Sequence, residues 1–236
     1  MKAFLLAAGL GTRLRPITDT TPKCMVNIGG RPLLDLWLDS LRDAGVDEVV
    51  VNLHHLPDVV RTHLAARAGG PVVRTSYEPV LLGSAGTLLA NRQWVAADDF
   101  FLACNADNLT DFDLGSLLDA HRTYRPAATL AVFHAENPSA CGIVELDASG
   151  VISGFAEKPA HPVSDLANAG IYTFAPSVLD EIAAPAPCDI GHDLLPRLVG
   201  QARTVAVKGY FRDIGTIDAY QRALQEWPAR AEAMTT

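Results

Sequence analysis

The chain has 236 residues, 49% of them apolar, with a mean hydropathy of +0.15, enough to bury one sizeable core in a single compact domain. Its formal charge of −8 argues against a nucleic-acid backbone as partner, although an anionic small ligand needs only local cations. Cys24, Cys104, Cys141 and Cys188 are far apart and form no CxxC pair, so they read as buried thiols of a reducing compartment rather than a disulfide pair or a metal site.

The apolar run from Ala3 to Ala8 reads as a buried strand. It is too short for a signal-peptide core or a membrane span, so a soluble cytoplasmic protein with no membrane partner is expected. The run opens into Gly9-Leu-Gly11 and then delivers Thr12, Arg13, Arg15 and Lys23. Glycines let consecutive N–H groups close around an anion, and the cations supply the charge a polyphosphate needs. As a dinucleotide fingerprint the loop fails, because Leu14 stands at the third glycine position and the second strand ends at His54 instead of an acid. It also lacks the GK[ST] ending of a P-loop.

Pro32 to Gly45 carries apolar residues at 34, 37, 38 and 41, with Pro32 suited to the first helical position and Gly45 to the residue beyond the end. Strands are expected over 47–53, 71–77 and 100–104, with helices over 56–66 and 84–92 between them. This alternation, with near-continuous apolar strands, predicts an α/β fold with a parallel sheet covered by helices on both faces. Ligands in such sheets sit beyond the carboxyl ends of the strands, where the Gly-rich loop and Asp107 both fall. The rhythm then changes to strands over 128–133, 142–146, 151–155 and 168–174, with a hairpin turn at Asp147-Ala-Ser-Gly150. Helices are expected at 176–183, 190–199 and 216–226, with a loop at Pro185-Ala-Pro187 and a frayed stretch over the last ten residues. This half reads as an α+β extension of the same sheet laid over the ligand side. There is no internal repeat, and little chain remains after Tyr220 for a second domain.

Asp107, in Asn105-Ala-Asp-Asn108, ends an apolar strand and reads either as a Mg²⁺ ligand facing a polyphosphate or as a turn aspartate. Asp113 is the better helix cap, before Leu114 to His121. Asp213 follows a β stretch over 204–207, and two carboxylates from distant segments make a metal site where one does not. Glu157-Lys158 at another strand end joins an acceptor for sugar hydroxyls to a cation for a phosphate, or is an exposed charged pair. Asn168 offers an amide to hydroxyls or simply starts a strand. His54-His55 and His192-Asp193 are read as structural, since neighbouring strand residues point apart and no third ligand is near. No serine sits in GxSxG and no cysteine has a base beside it.

Taken in order, Leu6-Ala-Ala-Gly-Leu-Gly-Thr-Arg-Leu-Arg-Pro16 with Pro22-Lys23, Leu82-Gly-Ser-Ala-Gly86, Asn105-Ala-Asp107, Phe155-Ala-Glu-Lys-Pro159, Asn168-Ala-Gly-Ile-Tyr172 and Asp213-Ile-Gly-Thr216 resemble the motifs of the sugar-1-phosphate nucleotidyltransferases. The likeness covers nearly the whole chain. It implies a Rossmann-like mixed, mainly parallel sheet without a C-terminal left-handed β-helix. A nucleotide-binding half would span about 1–125 and a sugar-binding half about 126–226 of one domain. It further implies that Leu6, Ala8, Gly9, Gly11, Thr12 and Arg13 hold the nucleoside triphosphate, with Gly83 and Ser84 in the base loop. Arg13 and Lys23 would act on the phosphates, and Asp107 and Asp213 would share Mg²⁺. Asn105, Gly142, Glu157, Lys158 and Asn168 would bind the sugar 1-phosphate. Phe211 stands where many members have tryptophan, and Ser84 where threonine is usual; the first should alter packing more than chemistry. A second copy of the chain is the one protein partner considered.

Base choice rests on Glu78, five residues before Gly83, where thymidylyl-transferring members have glutamine. A carboxylate only accepts, which suits the N1–H and N2–H₂ edge of guanine and favours GTP; a likeness to mannose- and heptose-1-phosphate guanylyltransferases implies the same base and a manno- or heptose-type sugar. The alternatives are a UTP- or dTTP-dependent enzyme, such as an N-acetylmuramate-1-phosphate uridylyltransferase or a glucose-1-phosphate thymidylyltransferase, and a catalytically inactive nucleotide-sugar sensor.

Overall fold

The computed structural model describes residues 1–183 and 185–233, those after Trp227 by their backbone alone. Strand β1 (Lys2–Leu6) is buried along its centre, as an unbroken apolar run requires. Three short 3-10 turns, Thr12–Leu14, Ile17–Asp19 and Lys23–Met25, carry the chain past its end. A small hairpin, β2 (Asn27–Ile28) and β3 (Arg31–Pro32), leads into α1 (Leu33–Asp43). The alternation then runs through β4 (Glu48–Leu53), α2 (Pro57–Ala66), β5 (Val72–Tyr77), α3 (Ser84–Ala90), α4 (Arg92–Val95) and β6 (Phe101–Asn105).

These strands lie in the order β5-β4-β1-β6, all parallel, with Ala3 beside Val49 on one side and Leu102 on the other. The winding direction reverses at β1. The crevice beyond the carboxyl ends of β1 and β6 is therefore the topological switch point, the place where an open α/β sheet has room for a ligand.

The second half supplies β7 (Asn108–Thr110), α5 (Leu114–Tyr124), β8 (Ala128–His134), β9 (Gly142–Leu146), β10 (Ile152–Glu157), β11 (Leu166–Phe174), β12 (Ala202–Ala206), β13 (Phe211–Asp213) and α6 (Ile217–Ala233). Antiparallel β11 lies against β6 and carries β8 on its other edge, with β12 parallel beyond it. The β9–β10 hairpin joins β11 through Ala167 and Ile143. One sheet thus runs through both halves, mixed and mainly parallel in its first part. No left-handed β-helix occurs, and no helix is long and apolar enough to cross a membrane, among the described residues.

Helix α1 stops as its sequence dictates. Gly45 takes φ 79°, Val46 N–H donates to Leu41 O at 2.9 Å, and Gly45 N–H donates to Arg42 O at 2.9 Å, the Schellman arrangement. Pro32 precedes the helix rather than opening it. Asp113 caps α5, its carboxylate accepting from Gly115 N–H at 2.9 Å. Two expected helices are not α-helical. Pro176–Glu181 is a 3-10 turn, and 190–199 divides into a π turn at Ile190–Leu194 and a 3-10 turn at Leu195–Leu198. Pro196 has no N–H for an α ladder, and its ring obstructs one. The last helix runs on to Ala233 where fraying was expected, and residues 234–236 lie outside those described.

Period-two alternation divides the core. Ala3, Leu5, Val49 and Val51 face Leu34, Leu38 and Leu41 of α1, while Phe4 and Val50 face Leu88 of α3 and Phe101. Phe4 meets Trp94 and Phe101 edge-on at 5.1 and 5.5 Å between ring centres. Under α5, His121 is 3% exposed and its Nδ1 lies 2.9 Å from Thr129 Oγ1. Burial lowers its pKa to about 4.

A histidine buried in the neutral form sheds stability as pH falls. Its contribution is complete above the unfolded-state value near 6.5 and is lost towards the folded value near 4. His121→Gln should remove a loss on the order of 3 kcal/mol over that window, read as the difference in denaturant midpoints between pH 7 and pH 4.5.

Candidate active site

A cleft of about 470 Å³ opens at the switch point, lined in part by Leu6, Ala8, Gly9, Glu78, Gly83, Ser84, Asn105 and Asp107. Each was expected there from the sequence. Its phosphate end is built by the loop after β1. Gly11 adopts φ 63°, and a Cβ there would lie 2.8 Å from Thr18 Cγ2, so the turn admits no side chain. Thr18 Oγ1 donates to Gly11 O at 2.8 Å, and His55 Nε2 lies 2.7 Å from Thr18 O, bracing the loop from below. The N–H groups of residues 9–13 donate to no protein acceptor among the described residues. They remain available as a row of donors, the element an anion cradle needs.

Lys23 is 7% exposed and reaches back into this cleft. Its Nζ lies 2.5 Å from Asp107 Oδ2 and 3.6 Å from Asp213 Oδ1. The two carboxylates meet because β13 pairs with β7, setting Asp213 opposite Asn108, while Ile214 N–H donates to Asp107 O at 3.1 Å. Loss of solvent and then the charge of Asp107 raise the Asp213 carboxyl above its ordinary range, and Lys23 and Arg13 pull it back. Arg13 Nη2 stands 2.9 Å from where a Cβ of Gly215 would sit. Arg15 is spent elsewhere, on Asp19 at 3.2 Å.

Two oxygen donors facing one ammonium leave negative charge to spare, and an all-oxygen donor set suits Mg²⁺. No group of three or more His, Cys, Asp or Glu that could hold a metal occurs among the described residues. An ion between Asp107 and Asp213 would therefore need phosphate oxygens or water to complete its shell, which is how Mg²⁺ is usually held.

Gly142, Glu157, Lys158 and Asn168 come from the antiparallel half of the sheet. Glu157 ends β10, and a Cβ on either Gly142 or Gly191 would lie 2.6 Å from its Oε2, so both glycines make room for the carboxylate. Lys158 Nζ is 3.3 Å from Glu157 Oε1 and its side chain is exposed. Asn168 donates to Tyr172 Oη at 2.7 Å and accepts from Gly170 N–H at 3.0 Å. Burial raises the Tyr172 phenol far above its ordinary range, Asn168 offsets part of this, and Glu157 and Asp107 add to it. Cys141 is raised by burial, then by Asp213 and Glu157. Tyr172 thus lies within electrostatic reach of Glu157 and Asp107, and Cys141 of Glu157 and Asp213.

Glu78 lines the cleft, but its carboxylate is engaged within the protein. It is 2% exposed, and its carboxylate accepts from Asn52 Nδ2 at 2.9 Å, Thr87 Oγ1 at 2.5 Å and Leu82 N–H at 3.0 Å. A group so engaged is first a support of the base loop, and its pairing with a guanine edge loses its simplest geometry. Sequence reasoning missed Asn52, Tyr172, Cys141 and Asp189, whose Oδ1 accepts from Ser84 N–H and Oγ at 3.1 Å each. For Asn52 a signal was present: a lone polar residue in the apolar run Val49 to Leu53. His54 and His55 are structural, as read, with His54 Nδ1 2.7 Å from Glu78 O. The four cysteines are free thiols, with Cys141 half-buried and the others buried.

Gly11→Ala should cost about 1 kcal/mol or more of stability from the strained left-handed position, and should abolish calorimetrically detected pyrophosphate binding by pushing the loop off Thr18.

The family described as Nucleotidyl transferase matches residues 2–229. The β catalytic subunit of mannose-1-phosphate guanylyltransferase from Drosophila melanogaster is 36% identical over 219 residues, covering 91% of this chain and 59% of that protein. The glucose-1-phosphate thymidylyltransferase of Streptomyces griseus is 36% identical over 231 residues, covering 92% of this chain and 63% of that protein. The chain thus spans about three fifths of the length of these relatives. In fold it is similar to HddC from Yersinia pseudotuberculosis complexed with GMP-PN, with a TM-score of 0.79 and 22% identity over 96% of this chain and 99% of that one. The chain belongs to the nucleotidyl transferase family.

Proposed function

We propose that the cleft transfers a nucleoside monophosphate from a nucleoside triphosphate to a sugar 1-phosphate, releasing pyrophosphate. The observation that carries this reading is Lys23 Nζ set between Asp107 and Asp213, beside a loop of unspent N–H donors. A phosphate oxygen of the sugar 1-phosphate forms a bond to the α-phosphorus as the α–β bridging bond breaks. The nucleophile is largely dianionic at pH 7, its second pKa being about 6, so it needs no general base. The work left to the protein is alignment and charge neutralisation. Lys23 and Arg13 would take the α-phosphate and the departing pyrophosphate. Glu157 and Asn168 would hold sugar hydroxyls, and Lys158 the sugar phosphate. Mg²⁺ between Asp107 and Asp213, when bound, would supply further neutralisation of phosphate oxygens.

For the base, GTP is placed ahead of UTP and dTTP. Asp189 lines the cleft as an acceptor beside the base loop, and guanine presents a donor edge. The guanylyltransferase relative supports the same choice and a manno-configured sugar, while the thymidylyltransferase relative supports dTTP. Pyrophosphate release should be read for each nucleoside triphosphate against a panel of sugar 1-phosphates. No release from any pair sinks the transfer reading, and release with UTP or dTTP but never GTP overturns the base assignment.

Lys23→Ala should slow turnover by about 10²- to 10³-fold, by analogy with loss of one preorganised donor. Asp107→Ala and Asp213→Ala should each lose Mn²⁺ binding in the presence of nucleotide, measured by electron paramagnetic resonance; retention in both variants would refute a shared ion.

A further inference from the structure

Asn52, next to last in β4, lies on the face of the sheet shared by Phe4, Val50 and α3, and is 5% exposed. Its Oδ1 accepts from two consecutive backbone groups, Ala7 N–H at 2.6 Å and Ala8 N–H at 3.3 Å. Its Nδ2 donates to Glu78 Oε1 at 2.9 Å and to Thr87 Oγ1 at 3.0 Å. The orientation of the amide is fixed by chemistry, since an N–H can only donate and a carboxylate can only accept. Glu78 then reaches onward to Leu82 N–H at 3.0 Å, at the entry to the Gly83–Ser84 turn. One amide therefore bonds the start of the phosphate loop to the carboxylate that holds the base loop. Both Asn52 and Glu78 also line the cleft.

We infer that Asn52 is a positioning residue for the nucleotide, acting through Glu78 to set the separation of the phosphate and base loops. This rests on the nucleoside triphosphate reading above. Opposite the Glu78 carboxylate, the site takes a side chain with an acceptor at one end and a donor at the other. Aspartate would keep the Ala7 and Ala8 contacts but oppose its second oxygen to the Glu78 carboxylate. Moving the charge across the pair, as Asn52→Asp with Glu78→Gln, restores a donor facing an acceptor.

The full chain is titrated calorimetrically with GTP, UTP and dTTP in Mg²⁺, which reads nucleotide affinity without a sugar partner. Asn52→Asp should weaken the best-bound nucleotide about tenfold or more, because an unsatisfied buried polar group is costly. Combined with Glu78→Gln it should recover most of that loss. In turnover, KM for the nucleotide should rise in Asn52→Asp while KM for the sugar phosphate stays put. Unchanged nucleotide affinity in Asn52→Asp overturns the inference. So does a paired variant no better than the single one, or a parallel loss for both substrates that tracks a lowered unfolding midpoint. If Asn52→Asp does not fold, the paired variant decides: near wild-type affinity supports the inference and a tenfold loss overturns it. A wild-type chain that binds no nucleoside triphosphate overturns the nucleotide reading and this inference together, which separates the two failures.

Discussion

A buried ammonium between two carboxylates organises this molecule's cleft. Lys23 comes from the turn after the glycine loop, Asp107 from the end of β6 and Asp213 from the far end of the chain. Lys23 could not sit there alone at low cost, because an unpaired buried charge is strongly unfavourable, and the two more exposed carboxylates repel one another. Together they need one another: loss of solvent and then the charge of Asp107 raise the Asp213 carboxyl, and Lys23 and Arg13 offset part of that. Such an arrangement is suited to exchanging partners: phosphates for the lysine, a divalent cation for the aspartates.

The scaffold brings these groups together in two separate ways. Reversal of winding at β1 opens the crevice between β1 and β6, so the glycine loop and Asp107 are neighbours by topology. The short β7–β13 pairing, outside the main sheet, returns residue 213 to within reach of residue 107. Phe211 on that strand packs at a tilt on Phe133, 4.4 Å between ring centres.

A second network, polar and almost wholly enclosed, lies beneath the cleft. Asn52, Glu78 and Thr87 satisfy one another and two backbone segments, while His54 and His55 brace the same loops through main-chain oxygens. A fully satisfied buried network rigidifies the loops it touches. It also explains why a glutamate five residues before Gly83 need not read a base directly: burial has already committed its oxygens.

The parallel half of the fold was legible in the sequence because buried strands and amphipathic helices have different periods, and turns carry glycine and proline. The cap at Asp113 and the stop at Gly45 are local bonds, so local sequence specifies them. Pro196 should have warned against a helix over 190–199, and the π and 3-10 turns there show the cost of a missing N–H. The glycine loop, the strand-end acids and the Glu157-Lys158 pair were likewise visible as residue types in sequence. What only the tertiary structure decided was which of them share a cleft, that Lys23 lies between both aspartates, and that Asn52 and Glu78 face each other. Those are contacts between residues 26 to 190 apart in the chain, set by strand order and pairing, and no periodicity within one segment encodes them.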